Sequence, residues 1–177
     1  MRIIGGTFKR RFIHPPKNLP VRPTTDLARE SLFNILNNTV YWEGKKVLDL
    51  FSGTGAVSYE FLSRGCESVL AVDSNYQCTS FIKKTAGEFK MNNLKVMRTD
   101  VFRFLKSAKI KFDIIFADPP YSLEEIALLP DMIFDNNLLN PDGIFILEHP
   151  ISFDFSEHSH FKEHRKYGKV NFSFFGS

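Results

Sequence analysis

The chain has 177 residues with 43% hydrophobic and 24% charged content, enough for one globular domain with a sizeable core. No apolar stretch approaches membrane-spanning length, and the start MRIIGGTFKRRF lacks the apolar segment of a secretory signal. Net charge is only +3, yet residues 1–29 carry seven basic side chains against one acid, a local +6 that leaves the rest at −3.

That asymmetry points to a polyanionic partner near the N-terminus, nucleic acid before others. A solvated basic hairpin without a partner is the plainer alternative. The opening Arg2-Ile3-Ile4-Gly5-Gly6, followed by Phe12-Ile13, predicts a small β-hairpin turning at glycine. Four prolines within residues 14–23 predict an extended linker. The boundaries are thus a basic hairpin and linker over 1–23 and a main domain over 24–177. A helix is predicted over 25–37, where Leu27, Ala28, Leu32, Phe33, Ile35 and Leu36 recur at helical spacing behind a Thr25 or Asp26 cap.

Beyond Gly44 strands and helices alternate. Strands are predicted near 46–51, 68–73, 94–98, 112–117 and 143–148, and helices near 56–64, 75–90, 100–107 and 122–134. Such alternation specifies an α/β fold, Rossmann-like, with a mostly parallel central sheet and helices on both faces. The tail differs: residues 161–167 and 169–175 around Gly168 predict an antiparallel hairpin at the sheet edge. Cys66 and Cys78 show neither metal nor redox spacing and read as reduced structural thiols.

The chemistry gathers at predicted strand ends, where open α/β sheets bind ligands. Val47-Leu48-Asp49-Leu50-Phe51-Ser52-Gly53-Thr54-Gly55 runs from a strand into a glycine loop that opens a helix. Gly53 and Gly55 permit a tight turn and close backbone approach to a ligand, although a structural strand-to-helix turn would look the same. Ser58 stands where a dinucleotide fingerprint has its third glycine. Asp49 within the strand favours a ligand with a positive amino group over a pyrophosphate. The second strand ends in Asp73, placed to accept both hydroxyls of a ribose or simply to cap the next helix. The third ends near Asp100, which suits an adenine amino group or another cap. The fourth ends in Asp118-Pro119-Pro120-Tyr121. There an acid can accept from an exocyclic amine, two prolines fix the turn, and a ring can stack on a base.

This order of motifs resembles the class I methyltransferases that use S-adenosylmethionine, whose amine-methylating members carry such a four-residue motif. The N-terminal block narrows the resemblance. Arg2-Ile3-Ile4-Gly5-Gly6, Arg22-Pro23-Thr24, Asp26 and Arg29-Glu30-Ser31-Leu32-Phe33-Asn34-Ile35-Leu36 are similar to the bacterial 16S ribosomal RNA guanine-N2 methyltransferases. Asp49 to Gly55 and Leu62-Ser63-Arg64-Gly65 match that family too. Ser52, Thr54, Tyr59 and Phe61 depart mildly from its pattern, and the tail after Pro150 matches loosely.

The resemblance implies that Asp49, Gly53 and Gly55 surround the methionine end of S-adenosylmethionine, that Asp73 holds the ribose and that Asp100 sits at the adenine. It implies that Asp118 and the Pro119 carbonyl accept from the guanine amine, with Tyr121 stacked on the base. Lys9, Arg10, Arg11 and Arg22 are the expected contacts to the RNA backbone. Arg29 and Glu30 either cover the cofactor pocket or pair with each other or with Asp26. The partner so implied is 16S ribosomal RNA or a small-subunit assembly particle. A cytoplasmic monomer without metal is expected. Two rivals remain: an adenine-N6 DNA methyltransferase, since the four-residue motif serves both amines, and a non-catalytic nucleic-acid-binding module on the same fold.

Overall fold

The computed structural model describes residues 1–21 and 25–176. Arg22, expected at the RNA, lies outside the described residues. Helix α1 spans Asp26–Asn37, and the Thr25 side chain caps it by accepting from the Ala28 amide. The alternating region then gives β1 (Lys46–Leu50), α2 (Ala56–Ser63), β2 (Ser68–Asp73), α3 (Tyr76–Glu88), β3 (Leu94–Arg98), α4 (Val101–Ser107) and β4 (Phe112–Ala117). After it come α5 (Leu129–Asp135), β5 (Leu139–His149), β6 (Phe161–Tyr167) and β7 (Val170–Gly176).

The expectation of one helix over 122–134 needs correction. Glu124–Leu128 forms a 3-10 turn, and α5 begins only at Leu129, with Pro130 in its first turn. Proline lacks the N–H an α-helix needs in its interior but is tolerated in a first turn, so the α-helix starts there. The fifth strand also starts earlier than expected, at Leu139.

All seven strands form one sheet in the order β3-β2-β1-β4-β5-β7-β6. Neighbours from β3 through β5 are parallel, while β7 runs antiparallel to both β5 and β6. Strand β7 therefore inserts between β5 and β6. The two sequences explain the choice. VNFSFFG is almost wholly buried, whereas FKEHRKY is charged and mostly exposed, the composition that protects an edge from further pairing.

Side chains alternate across the sheet and feed two cores. Val47, Val69, Ala71, Ile114, Phe116, Ile146 and Phe172 pack on one face with Phe33, Phe61 and Ile82 of the first three helices. Leu48, Leu50, Ile115, Phe145, Leu147 and Phe175 pack on the other with Leu105, Ile126 and Ile133.

The predicted N-terminal hairpin is present, closed by the Arg2–Phe12 bridge. It is docked on α2 and does not stand free. The buried Glu60 carboxylate accepts from the Ile4 amide at 2.5 Å and pairs with Arg64, whose guanidinium lies 4.1 Å from the Phe33 ring centroid. Ser63 accepts from the Thr7 amide at its carbonyl (2.7 Å) and from the Phe8 amide at its hydroxyl (2.9 Å). Gly6 has φ +75°, and a Cβ there would lie 1.7 Å from the Ser63 carbonyl oxygen. That contact, as well as the turn, requires glycine.

Candidate active site at the carboxyl edge of the sheet

Chain order reverses between β1 and β4, the place where open α/β sheets open a crevice at their carboxyl edge. Register levels the strand ends there. Leu50 pairs with Val72 and with Ala117, and Ala117 pairs with Leu147. Because side chains alternate with period two, Asp49, Asp73, Asp118 and Glu148 all belong to the sheet face covered by α1, α2 and α3. Four carboxyl groups thus gather at one edge.

Each is built differently. Asp49 is 1% exposed, and its carboxylate accepts from the Ser58 hydroxyl at 2.5 Å. Where a dinucleotide fingerprint has its third glycine, this chain places a donor for its own strand acid. Burial pushes the Asp49 carboxyl up to about 7; the charges of Asp118 and Asp73 add to the rise, and the Ser58 hydrogen bond opposes it. Asp73 accepts from the Gly53 amide and from the Asn75 amide, each at 2.8 Å. One oxygen pins the glycine loop and the other starts the turn into α3. Each oxygen keeps a second lone pair for a ligand. Asp100 accepts from the Arg103 amide at 2.9 Å and caps α4, so its capping role is realised.

The loop itself is a cradle. Gly53 has φ +52° and Gly55 φ +77°. A Cβ on Gly55 would fall within 3 Å of Tyr59 and Ile82. The Gly55 amide donates to the Ser52 carbonyl (2.7 Å), and the Ser52 amide donates to Val72 of the adjacent strand (3.1 Å). The N-terminal segment closes over this loop: the Thr54 hydroxyl lies 3.6 Å from the Met1 sulfur, and Val21 lies beside Gly53. This cradle, with a buried acid held well above its ordinary range, fits a cofactor whose amino end is positive, because a cation there offsets the mutual repulsion of Asp49, Asp73 and Asp118.

Asp118-Pro119-Pro120-Tyr121 leaves the end of β4, and the Asp118 amide donates to the Leu50 carbonyl at 3.4 Å. Asp118 is half-buried, Pro119 buried, and the Tyr121 side chain 47% exposed. The Tyr121 hydroxyl donates to Glu148 Oε1 at 3.0 Å.

Glu148 is a residue that the sequence reading missed. It ends an apolar strand, as Asp49, Asp73 and Asp118 do, so the same criterion would have found it. It is 6% exposed, and its Oε2 has no hydrogen-bond partner among the described residues. Burial, then the charge of Asp118, push its carboxyl up to about 8, against the Tyr121 hydrogen bond.

The structure places the remaining expected residues apart from this edge. Lys9, Arg10 and Arg11 are exposed at the hairpin tip. Arg11 lies 5.0 Å from the Phe8 ring centroid and 5.2 Å from that of Phe89, just past the C-terminus of α3. The tip is therefore one α2 length from the glycine loop, about 12 Å for eight residues. Arg29 is fully buried and pairs with Asp26, while its Nη2 donates to the Arg2 carbonyl at 3.1 Å. The pairing with Asp26 is one of the alternatives set out for Arg29. Among the described residues no His, Cys, Asp and Glu cluster has metal-binding geometry, and no helix is long and apolar enough to cross a membrane.

Comparison with known proteins settles the family. The profile of the family described as Conserved hypothetical protein 95 matches residues 1–176. The chain belongs to that family. It is 34% identical over 153 residues to the "Putative rRNA methyltransferase YlbH" of Bacillus subtilis, covering 84% of this chain and 82% of the relative. It is 30% identical to the "Ribosomal RNA small subunit methyltransferase D" of Buchnera aphidicola, covering 84% and 75%. Among solved structures, the "Putative methyltransferase yhhF from Escherichia coli" superposes with a TM-score of 0.86 at 26% identity, covering 99% of this chain and 96% of that one. The seven-stranded sheet with its antiparallel β7 is thus a Rossmann-like class I methyltransferase fold.

Proposed function

We propose that this chain transfers a methyl group from S-adenosylmethionine to the exocyclic N2 amine of a guanine in 16S ribosomal RNA. The observation that carries the reading is the position of Asp118-Pro119-Pro120-Tyr121. It stands at the β1/β4 crevice, beside the Gly53–Gly55 cradle and on the sheet face that holds Asp49 and Asp73. The family relatives named as ribosomal RNA small subunit methyltransferases support the choice of substrate.

In this reading Asp49, Gly53 and Gly55 hold the amino-acid end of the cofactor, Asp73 the ribose, and Asp100 the adenine side. The cofactor supplies an electrophilic sulfonium methyl. The guanine amine is a poor nucleophile because its lone pair is delocalised into the ring. Asp118 and the Pro119 carbonyl accept its N–H groups and draw the nitrogen toward tetrahedral geometry, which localises that lone pair. Tyr121 stacks on the base and fixes its plane. Orientation of this kind is worth on the order of 7–11 kcal/mol. After transfer the cationic amine gives its proton to Asp118 Oδ or to water. A paired base cannot reach the crevice, so the target nucleotide must be unpaired or flipped out.

The test is nucleoside mass spectrometry of unmodified 16S RNA or small-subunit particles treated with protein and cofactor. N2-methylguanosine is expected with the wild type and not with Asp118→Ala, while calorimetry shows cofactor affinity near wild type in the variant. N6-methyladenosine as the product, or full activity of Asp118→Ala, would refute the reading.

A further inference from the structure

We propose that Glu148 reads the N1–H of the target base and thereby selects guanine over adenine. The inference rests on the guanine-N2 reading above and adds a specificity-determining residue to it.

Glu148 follows Leu147, the partner of Ala117, so it lies beside Asp118 on the same face of adjacent parallel strands. Its Oε1 is occupied by the Tyr121 hydroxyl, and its Oε2 is buried without a partner among the described residues. Its neighbour on the other side is Phe172 of β7, which offers no side-chain donor. A buried carboxylate oxygen left unpaired is costly, and it is explained when a ligand supplies the missing donor. The surrounding chemistry says which donor. The next group along the edge, Asp118, is itself an acceptor. The site therefore offers two carboxyl groups side by side, one of them hydrogen-bonded to the Tyr121 hydroxyl, and an N–H donated to Glu148 favours its charged form against the burial and the Asp118 charge that raise it. The matching ligand is a planar ring with two adjacent N–H groups on one edge.

Guanine presents that edge: its N1–H stands next to its 2-amino group. With the amine at Asp118, the N1–H faces Glu148. Adenine presents its 6-amino group next to a bare N1 lone pair, which would confront the carboxylate and be repelled. Tyr121, anchored to Glu148 and stacked on the base, sets the plane in which both contacts are made. Glu148 thus does for the ring what Asp118 does for the amine. Deriving discrimination from an unpaired polar atom suits a site that must reject the wrong base strongly.

The test compares guanine with 2-aminopurine at the methylated position of a synthetic fragment of the ribosomal RNA. 2-Aminopurine keeps the 2-amino group and replaces N1–H with a lone pair. Wild type should favour guanine in kcat/KM by at least about a hundredfold. Glu148→Gln keeps an oxygen for the Tyr121 hydroxyl and gains an N–H2 that can donate to N1. It should lose guanine activity by more than about tenfold and bring the preference to near unity or below. Calorimetric cofactor affinity equal to wild type confirms that the variant is folded. Glu148→Ala, which can neither accept nor donate, should lose guanine activity without gaining 2-aminopurine. A Glu148→Gln protein that keeps the wild-type preference, at any overall rate, overturns the proposal and leaves Glu148 as an anchor for Tyr121 only. Failure of the wild type to methylate guanine at all would instead overturn the underlying function, a result visible before any variant is made.

Discussion

Replacing Asp49 with Asn should change how stability depends on pH, in a direction and size set by the geometry. The Asp49 carboxyl is fully buried beside Asp118 and Asp73, and its pKa rises from 3.8 to about 7 in the folded chain. Below about pH 4 both folded and unfolded states carry the proton, and the burial costs nothing through this group. Between about 4 and 7 the unfolded chain releases it while the native state keeps it. The native state then binds more protons, so stability falls as pH rises through that window and levels off above 7. A shift of about three units corresponds to a full penalty of about 4 kcal/mol. By pH 5 roughly 1.5 kcal/mol of it has been incurred, so about 2–3 kcal/mol remains between pH 5 and pH 8. Asn has no charge to bury, and its amide oxygen can still accept from Ser58. Any pH-independent cost of the new amide cancels when the two pH values are compared, and the slope contributed by Glu148 is common to both proteins. Urea unfolding of wild type and Asp49→Asn at pH 5 and pH 8 measures the effect. The stability of the variant relative to wild type should rise by about 2–3 kcal/mol between the two. The same substitution should weaken S-adenosylmethionine, because its amino end loses a charged partner. A relative stability unchanged between pH 5 and pH 8 would mean that Asp49 is not held protonated by burial, and the electrostatic account of the site would fail.

Two further outcomes follow from the acceptor edge and the hairpin. Tyr121→Ala should lose base stacking worth roughly 1–3 kcal/mol in kcat/KM; Tyr121→Phe keeps the ring but removes the donor to Glu148 and should lose about 1 kcal/mol, and equal losses would show that the hydroxyl, not the ring, carries the effect. Replacing Lys9, Arg10 and Arg11 with Ala should weaken RNA binding and flatten its dependence of log affinity on log salt by up to about two units, at ~0.7 per single-strand contact. Cofactor affinity should not move, since the tip lies about 12 Å from the glycine loop, and an unchanged salt slope in a folded triple variant would make the tip a solvated face.

By itself the sequence determined what depends on neighbours along the chain. Short apolar runs located β1 to β4, and Thr25 and Asp100 cap the helices they precede because a cap needs only the next few residues; α3 is capped by Asn75 and not by Asp73, which accepts from the Asn75 amide. The strand-end acids Asp49, Asp73 and Asp118 were legible for the same reason, since where a strand stops is a local property. Tertiary structure alone decided what depends on distant partners. The insertion of β7 between β5 and β6 is a choice of neighbour; burial of VNFSFFG against exposure of FKEHRKY settles it, and only when both sheet faces are covered. Gly6 is required by the carbonyl of Ser63, 57 residues away in sequence, as well as by its own turn. The buried Arg29 guanidinium meets the Arg2 carbonyl of the hairpin, 27 residues away in sequence, as well as Asp26 of its own helix. Glu148 ends its strand like the other acids, but its importance comes from Tyr121, 27 residues earlier, and from Asp118 on the neighbouring strand. A carboxylate becomes informative only when burial leaves one of its oxygens unpaired, and burial is a property of the whole fold rather than of the segment that carries the residue.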